Sequence, residues 1–233
     1  MLLDNLTEIK GRIAAAASRA NRSSDVIKLV AVSKLVPVER IIEALDLGHS
    51  IFGENYIQEA LEKIPCINNQ VKQKAVFHFI GKLQSNKAKK AAELFDVIET
   101  IDSIKLGLLL EKHCAGLNKK MAAYVQVNVG GEGQKSGIAP GECEKIIQGL
   151  NHCKFLNIVG LMTMPPYFAN PAGARQYFIK LRQLAEKLEA KGLLGQHGPV
   201  ELSMGMSGDF EVAIEEGATV VRIGTAIFGK RSD

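Results

Sequence analysis

Eight short apolar runs alternate with amphipathic helical patterns along the chain, and this alternation constrains the fold more than any other feature. We predict strands at IKLVAVS, SIFGEN, AVFHFIG, DVIETI, AAYVQVNV, NIVGLMTM, VELSMGM and TVVRIGTAIFG. Stretches such as PVERIIEALDLG and ARQYFIKLRQLAEKLEAKG predict the helices between them, and one more helix precedes the first strand. Gly48, Gly192 and Gly217 are placed to close three of the helices.

This repeat predicts an α/β fold with a parallel sheet. Eight strands, seven intervening helices and one leading helix match a closed (β/α)8 TIM barrel with an extra N-terminal helix. An open doubly wound sheet is the alternative, because the same alternation supports it. The 233 residues are close to the roughly 250 that are typical of the barrel, and no linker divides the chain. We therefore predict a single barrel domain over residues 1–233.

The composition excludes several classes of protein. The chain has 46% hydrophobic and 23% charged residues, as soluble globular proteins do. Its net charge is only +4, it lacks Trp, and no basic run is interleaved with aromatics, so we expect no nucleic acid partner. No segment approaches the roughly 18 apolar residues that a membrane span requires. With no signal peptide and no CxxC pair, we expect a cytoplasmic monomer with reduced cysteines and no bound metal.

Lys34 and Arg222 are the two cations whose positions need explanation. Lys34 follows a buried strand, where a solvated lysine is the ordinary alternative, and it has the parity of Val32. Arg222 lies in the last predicted strand with the parity of Gly224. Closure makes the first and last strands neighbours. If both faces point inward, the two cations converge at the barrel mouth, where they repel unless an anion or an electron-rich ligand lies between them.

Two loops at the same end of the barrel resemble a phosphate cradle. Ser207 and Gly208 come directly before the helical stretch DFEVAIEEG, whose first turn has free backbone N–H groups. Gly224 allows close backbone approach, and Thr225 adds a hydroxyl. The loops after strands seven and eight are the usual phosphate site of this barrel. A helix cap is the alternative role for SGD.

A resemblance to a known family rests on AVSK, FGENYIQEA, HFIGKLQSNK, VNVGGEGQKSG, GLMTMPP and LSMGMSGDFEVAIEEGATVVRIGTAIFG. The lysine, arginine and cradle resemble the barrel of alanine racemase, the N-terminal domain that binds pyridoxal 5'-phosphate (PLP). The full set of motifs is more similar to the YggS/PROSC family of pyridoxal phosphate homeostasis proteins, over nearly the whole chain.

The resemblance implies a cofactor site. Lys34 would carry PLP as an internal aldimine, and Arg222 would lie beside the pyridine nitrogen. Ser207, Gly224 and Thr225 would hold the phosphate. The remaining walls would be formed by Asn55, His78 and Met204.

Cofactor chemistry then argues against efficient amino-acid turnover. A cationic arginine beside the pyridine nitrogen disfavours protonation of that nitrogen and weakens the cofactor as an electron sink. Alanine racemases also use a tyrosine from a second domain, which we do not expect here. The family resemblance therefore implies a non-enzymatic protein without catalytic residues, which buffers PLP or delivers it to apoenzymes. Two alternatives are a PLP-dependent racemase or lyase with His78 as second base, and a Schiff-base aldolase for sugar phosphates acting through Lys34.

The loop GGEGQKSG suggests one further hypothesis. It places Lys135 on the same face as Lys34, between glycines that allow the loop to move. Lys135 would accept the aldehyde from Lys34 and pass it outward by transimination. A solvated loop lysine without a role is the alternative.

Overall fold

The strands of the computed structural model, which describes residues 1–133 and 136–229, close into a parallel barrel in chain order. Because β1 pairs in parallel with both β2 and β8, the barrel prediction is confirmed and the open sheet is wrong. The strands are β1 (Lys28–Val32), β2 (Ile51–Glu54), β3 (Val76–Phe79), β4 (Val97–Ile101), β5 (Met121–Gln126), β6 (Leu156–Met162), β7 (Glu201–Ser203) and β8 (Val220–Ile223).

The helices surround the barrel, and the one that precedes β1 contacts the last two. Gly48, Gly192 and Gly217 have φ angles of 79°, 69° and 103° after three helices, as predicted. The helices are α1 (Leu2–Arg19), α2 (Val38–Asp46), α3 (Ile57–Gln70), α4 (Ala88–Leu94), α5 (Ile104–Gly116), α6 (Cys143–Leu150), α7 (Arg175–Ala190), α8 (Phe210–Glu215) and α9 (Thr225–Phe228). Within the described ranges, none of them is both long and apolar enough to cross a bilayer.

The last predicted strand is shorter than expected. Its pairing with β1 ends at Ile223, and the following TAIF segment forms α9 instead of continuing the strand. The change of direction occurs at Gly224, where ψ is −78° and the backbone leaves the extended conformation. The buried side chain of Ile227 then anchors α9 in the core.

The core has two parts, and the smaller one shows which side chains point into the barrel. The large cluster fills the layer between strands and helices. The small cluster lies inside and contains Val30, Val97, Tyr124, Met162 and Val220. Because Val30 and Val220 are inside, residues of the same parity on β1 and β8 also face inward. The inward direction assumed for the Arg222 face is therefore correct.

Two glycines allow close backbone approach near the mouth and the wall of the barrel. A Cβ atom at Gly160 would lie 1.8 Å from the carbonyl oxygen of Glu201 on the neighbouring strand. A Cβ atom at Gly81 would lie 2.1 Å from the carbonyl oxygen of Asn55. Since no side chain fits at such distances, only glycine at position 81 allows the loop after β3 to pack against the end of β2.

Candidate functional site

A cavity of about 180 Å³ lies at the mouth of the barrel, where the carboxyl ends of the strands meet. Six of the eight site residues predicted from the sequence line it, and the structure thus brings Lys34 and Arg222 into one space. The complete lining is Val32, Lys34, Asn55, Ile80, Met164, Met206, Ser207, Arg222, Gly224 and Thr225.

The guanidinium of Arg222 is buried beneath this cavity with a carboxylate beside it. Its Nη1 lies 3.5 Å from Oε2 of Glu99 and donates to Oγ of Ser203, and its Nη2 donates to the carbonyl oxygen of Thr163 at 2.8 Å. Arg222 is 3% exposed and Glu99 is fully buried. The sequence prediction that a bound anion must compensate Arg222 is therefore incomplete, because the protein supplies a carboxylate itself.

Glu99 was not among the residues predicted from the sequence. The signal that could have identified it is a single carboxylate in the middle of the apolar run DVIETI, since an acidic side chain inside a buried strand needs a partner. Its Oε1 lies 2.7 Å from Nδ1 of His78, and its Oε2 accepts a hydrogen bond from Ser203 at 2.6 Å. His78 is 3% exposed and lies outside the cavity lining, within this network.

The network keeps Glu99 ionised. Burial alone would raise the pKa of Glu99, but the hydrogen bond and charge of His78, the charge of Arg222 and the hydrogen bond from Ser203 hold it below its ordinary value. Burial lowers the pKa of Arg222, and the nearby charge of Glu99 opposes that effect. An arginine with a buried carboxylate partner retains its proton at neutral pH.

Met204 lies elsewhere than predicted. Its neighbour Ser203 points into the barrel and bonds to Glu99, so the next side chain along the chain points outward. Met204 is accordingly buried in the layer between the barrel and the helices. In the cavity wall, Met164 and Met206 take the place that was predicted for Met204.

The loops after β7 and β8 present unpaired backbone donors to the cavity. Within the described part of the chain, the backbone N–H groups of Ser207, Gly224 and Thr225, which line the cavity, donate to no other protein group, and neither does that of the adjacent Gly208. Asp209 stabilises the first loop, because its Oδ1 accepts a hydrogen bond from the N–H of Met206 at 2.7 Å. Free N–H groups and hydroxyls at one end of a cavity form a suitable site for an anion such as phosphate.

Asn55 connects this cavity with a larger one of about 530 Å³. Its Oδ1 is buried and accepts no hydrogen bond from a described residue. A buried amide oxygen without a partner is costly, so it is available to a donor on a ligand. Lys135, the residue of the transimination hypothesis, lies outside the described residues.

The site thus combines the amine of Lys34 with an anion-binding loop pair. A lysine amine at a cavity mouth can attack a carbonyl carbon, and the loops can hold a phosphate on the same molecule. The arrangement suits a small ligand that carries both an aldehyde and a phosphate.

Comparison with known proteins gives three relevant matches. The family model described as alanine racemase, N-terminal domain, matches residues 5–232. A pyridoxal phosphate homeostasis protein of Aquifex aeolicus is 39% identical over 228 residues, covering 98% of this chain and 97% of that protein. The solved structures of PipY from Synechococcus elongatus without and with PLP bound are 32% identical to this chain, with TM-scores of 0.86 and 0.82. Each alignment covers 98% of this chain and 100% of the PipY chain.

The buried ion pair generates a prediction about stability. Replacing Glu99 with Gln leaves Arg222 without a buried counter-charge, and breaking such a pair destabilises a protein by about 3–5 kcal/mol. We expect this loss in the free energy of unfolding, measured by urea denaturation at pH 7. Glu144→Gln is the control, because its partner Lys191 is 42% exposed and a surface pair is worth at most about 1 kcal/mol.

The same variant has a defined pH dependence. The pKa of Glu99 is lowered in the folded state, so its ionisation stabilises the fold above the ordinary value of 4.5. That stabilisation is lost as the pH falls through the lower folded-state pKa. The difference between wild type and Glu99→Gln should therefore be complete at neutral pH and narrow below pH 4.5. A difference that is independent of pH would contradict the assignment.

Proposed function

We propose that this protein holds PLP covalently on Lys34. The chain belongs to the alanine racemase N-terminal domain family and, within it, to the pyridoxal phosphate homeostasis proteins. It binds the cofactor for storage and delivery within vitamin B6 homeostasis. The observation that carries the proposal is one cavity in which a lysine amine and unpaired backbone donors face the same space. The structure of PipY with PLP bound aligns with 98% of this chain.

The residues of the cavity fit the chemical groups of PLP. When bound, PLP supplies an aldehyde that an amine can capture, and Lys34 is the one lysine among the described residues that line this cavity. Ser207, Gly224 and Thr225 are suited to hold the phosphate through hydroxyl and backbone N–H groups. Arg222 would lie beside the ring nitrogen, and Asn55 and the network of His78 would form the remaining surroundings.

The Arg222 network favours retention of the cofactor over amino-acid turnover. Arg222 remains a cation because Glu99 is its partner, and a cation beside the ring nitrogen disfavours protonation there. Glu99 itself already bonds to His78 and Ser203, so it is not free to protonate the ring. The electron-sink chemistry that racemisation requires is therefore weak. This supports a carrier that delivers PLP to apoenzymes and has no catalytic residues.

The free thiols support a proposal about the cellular setting. Cys66, Cys114, Cys143 and Cys153 are free, and three of them are buried. Free thiols suit a reducing compartment. We propose that the protein acts in the cytoplasm as a monomer.

The first prediction from the proposed function tests covalent attachment at Lys34. Lys34→Ala should remove the yellow colour of the purified protein while the fold remains, because Lys34 is half-buried at the mouth and makes little contribution to the core. Borohydride reduction of the wild type followed by peptide mapping should recover the cofactor on Lys34. Lys82→Ala, which lies in the neighbouring cavity, should retain the colour. Cofactor fixed on another lysine alone would refute the assignment.

The second prediction concerns the phosphate. Hydrogen bonds to a charged group contribute about 1.5–3 kcal/mol each, so Ser207→Ala should weaken PLP binding by roughly 10- to 100-fold. Thr225→Val should have an effect of similar size. Pyridoxal, which lacks the phosphate, is the matched ligand, and its affinity should change less than about twofold in either variant. Equal losses for both ligands would mean that these residues do not bind phosphate.

The third prediction concerns turnover. Wild-type protein loaded with PLP should racemise D- or L-alanine no faster than free PLP at the same concentration. The reason is that Arg222 keeps the ring nitrogen unprotonated. Polarimetric or coupled assays measure the rate, and a PLP-dependent alanine racemase is the positive control. Saturable turnover with either enantiomer would overturn the carrier assignment.

A further inference from the structure

The backbone around Lys34 adopts an unusual turn. The N–H of Val36 donates to the carbonyl oxygen of Ser33 at 3.0 Å, which places Lys34 and Leu35 at the two central positions. Leu35 has a φ of 59°, in the left-handed region that residues with a Cβ atom rarely adopt. Its side chain is 62% exposed, so packing in the core does not explain this conformation.

Three side chains hold the turn from outside. Oε1 of Glu59 accepts a hydrogen bond from the N–H of Leu35 at 2.6 Å, and Nζ of Lys63 donates to the carbonyl oxygen of Ser33 at 2.9 Å. Oε1 of Glu54 accepts from Oγ of Ser33 at 2.7 Å. We refer to Glu54, Glu59 and Lys63 as the turn clamp. The two residues that flank Lys34 are thus both fixed by it.

The turn clamp is itself tied together by charge. Lys63 contacts Oε1 of Glu59 and lies 3.4 Å from Oε1 of Glu54. The side chains of Lys63, Glu59 and Glu54 are 11%, 18% and 0% exposed, so solvent screens these contacts little. Lys63 is the only cation between two carboxylates within the clamp. Burial already raises the pKa of Glu54, and loss of the Lys63 charge would raise it further. Loss of Lys63 would also remove the hydrogen bond to the carbonyl oxygen of Ser33 and the counter-charge of Glu59, so the turn would loosen.

We propose that Lys63 is a positioning residue, which holds the turn so that the amine of Lys34 is directed at the aldehyde of PLP. The inference rests on the proposed function. In the capture step, the neutral amine of Lys34 would add to the aldehyde carbon. A C=N bond would replace the C=O bond, and the oxygen would leave as water with the two hydrogens of the amine. The hydrogen bonds of the clamp go to the turn and not to Ser207 or Thr225. Capture of the aldehyde and binding of the phosphate are therefore separable.

The test compares two ligands in Lys63→Met, which keeps side-chain length and removes the charge. The first measurement is the rate at which PLP becomes fixable by borohydride on Lys34. We expect this rate to fall tenfold or more. The second measurement is the affinity for pyridoxine 5'-phosphate, which has the ring and the phosphate but no aldehyde. This affinity should change less than twofold. Equal losses in both measurements would indicate general damage to the cavity and overturn the proposal, as would an unchanged capture rate.

Lys119→Met is the matched control. Lys119 is also partly buried, and its Nζ donates to the carbonyl oxygens of Ala92 and Phe95 at 3.1 and 2.7 Å, away from the cavity. The control should lower the melting temperature as Lys63→Met does, yet leave the capture rate unchanged. A similar fall in capture rate would show that loss of stability alone explains the effect.

A second substitution tests whether the turn is what Lys63 controls. Asn tolerates positive φ better than Leu does, so Leu35→Asn added to Lys63→Met should restore at least half of the lost capture rate. No recovery would overturn the proposal.

If Lys63→Met does not fold, Glu59→Gln provides the test, because it retains the acceptor for Leu35 and removes a charge from the clamp. The rate at which this variant captures PLP should fall about threefold, and an unchanged rate would overturn the proposal. Failure of the proposed function is distinguishable, since it would appear in the wild type as absence of fixable cofactor on Lys34.

Discussion

The ion pair between Arg222 and Glu99 is the interaction on which the interior of the barrel depends. The two residues come from β8 and β4, and both are removed from water. A buried charge without a partner costs several kcal/mol, and the closed barrel brings each of these residues a partner of opposite charge. Ser203, Thr163 and His78 supply further hydrogen-bond partners to the pair. Closure of the barrel therefore forms the ion pair that lies directly beneath the cavity at its mouth.

This pair also determines the chemical character of the site. Because Glu99 is committed to the network below, what faces the cavity is the guanidinium and not the carboxylate. The mouth is then divided into an amine side, formed by the turn after β1, and an anion side, formed by the loops after β7 and β8. Such a division holds a ligand at two ends while it leaves the ring without an acid. It suits a protein that stores a reactive aldehyde.

The amine side is the more strained of the two. A leucine at positive φ persists only where its surroundings hold it, and such conformations are concentrated at functional positions. Here the surroundings are Glu59 and Lys63 of α3, which bond to the backbone of the turn, and Glu54 of β2, which accepts from the hydroxyl of Ser33. The anion side uses glycine and short loops instead, where close approach and free N–H groups require no strain.

The sequence was sufficient to predict the order of strands and helices, and with it the barrel, because periodicity in apolar residues is a local property of the chain. It also placed Lys34, Ser207, Arg222 and Thr225 at one end, since strand ends can be located from the same pattern. Two features could not be predicted in this way: the pairing of Glu99 with Arg222, 123 residues away, and the outward direction of Met204. Both depend on which face of each strand lies inside. In β4 the register shifts between Ile98 and Ile101, and such a shift comes from pairing with a neighbouring strand and not from residue type. The conformation of Leu35 could not be predicted from the sequence either. It is held by contacts with distant carboxylate and ammonium groups and does not reflect a local preference of leucine.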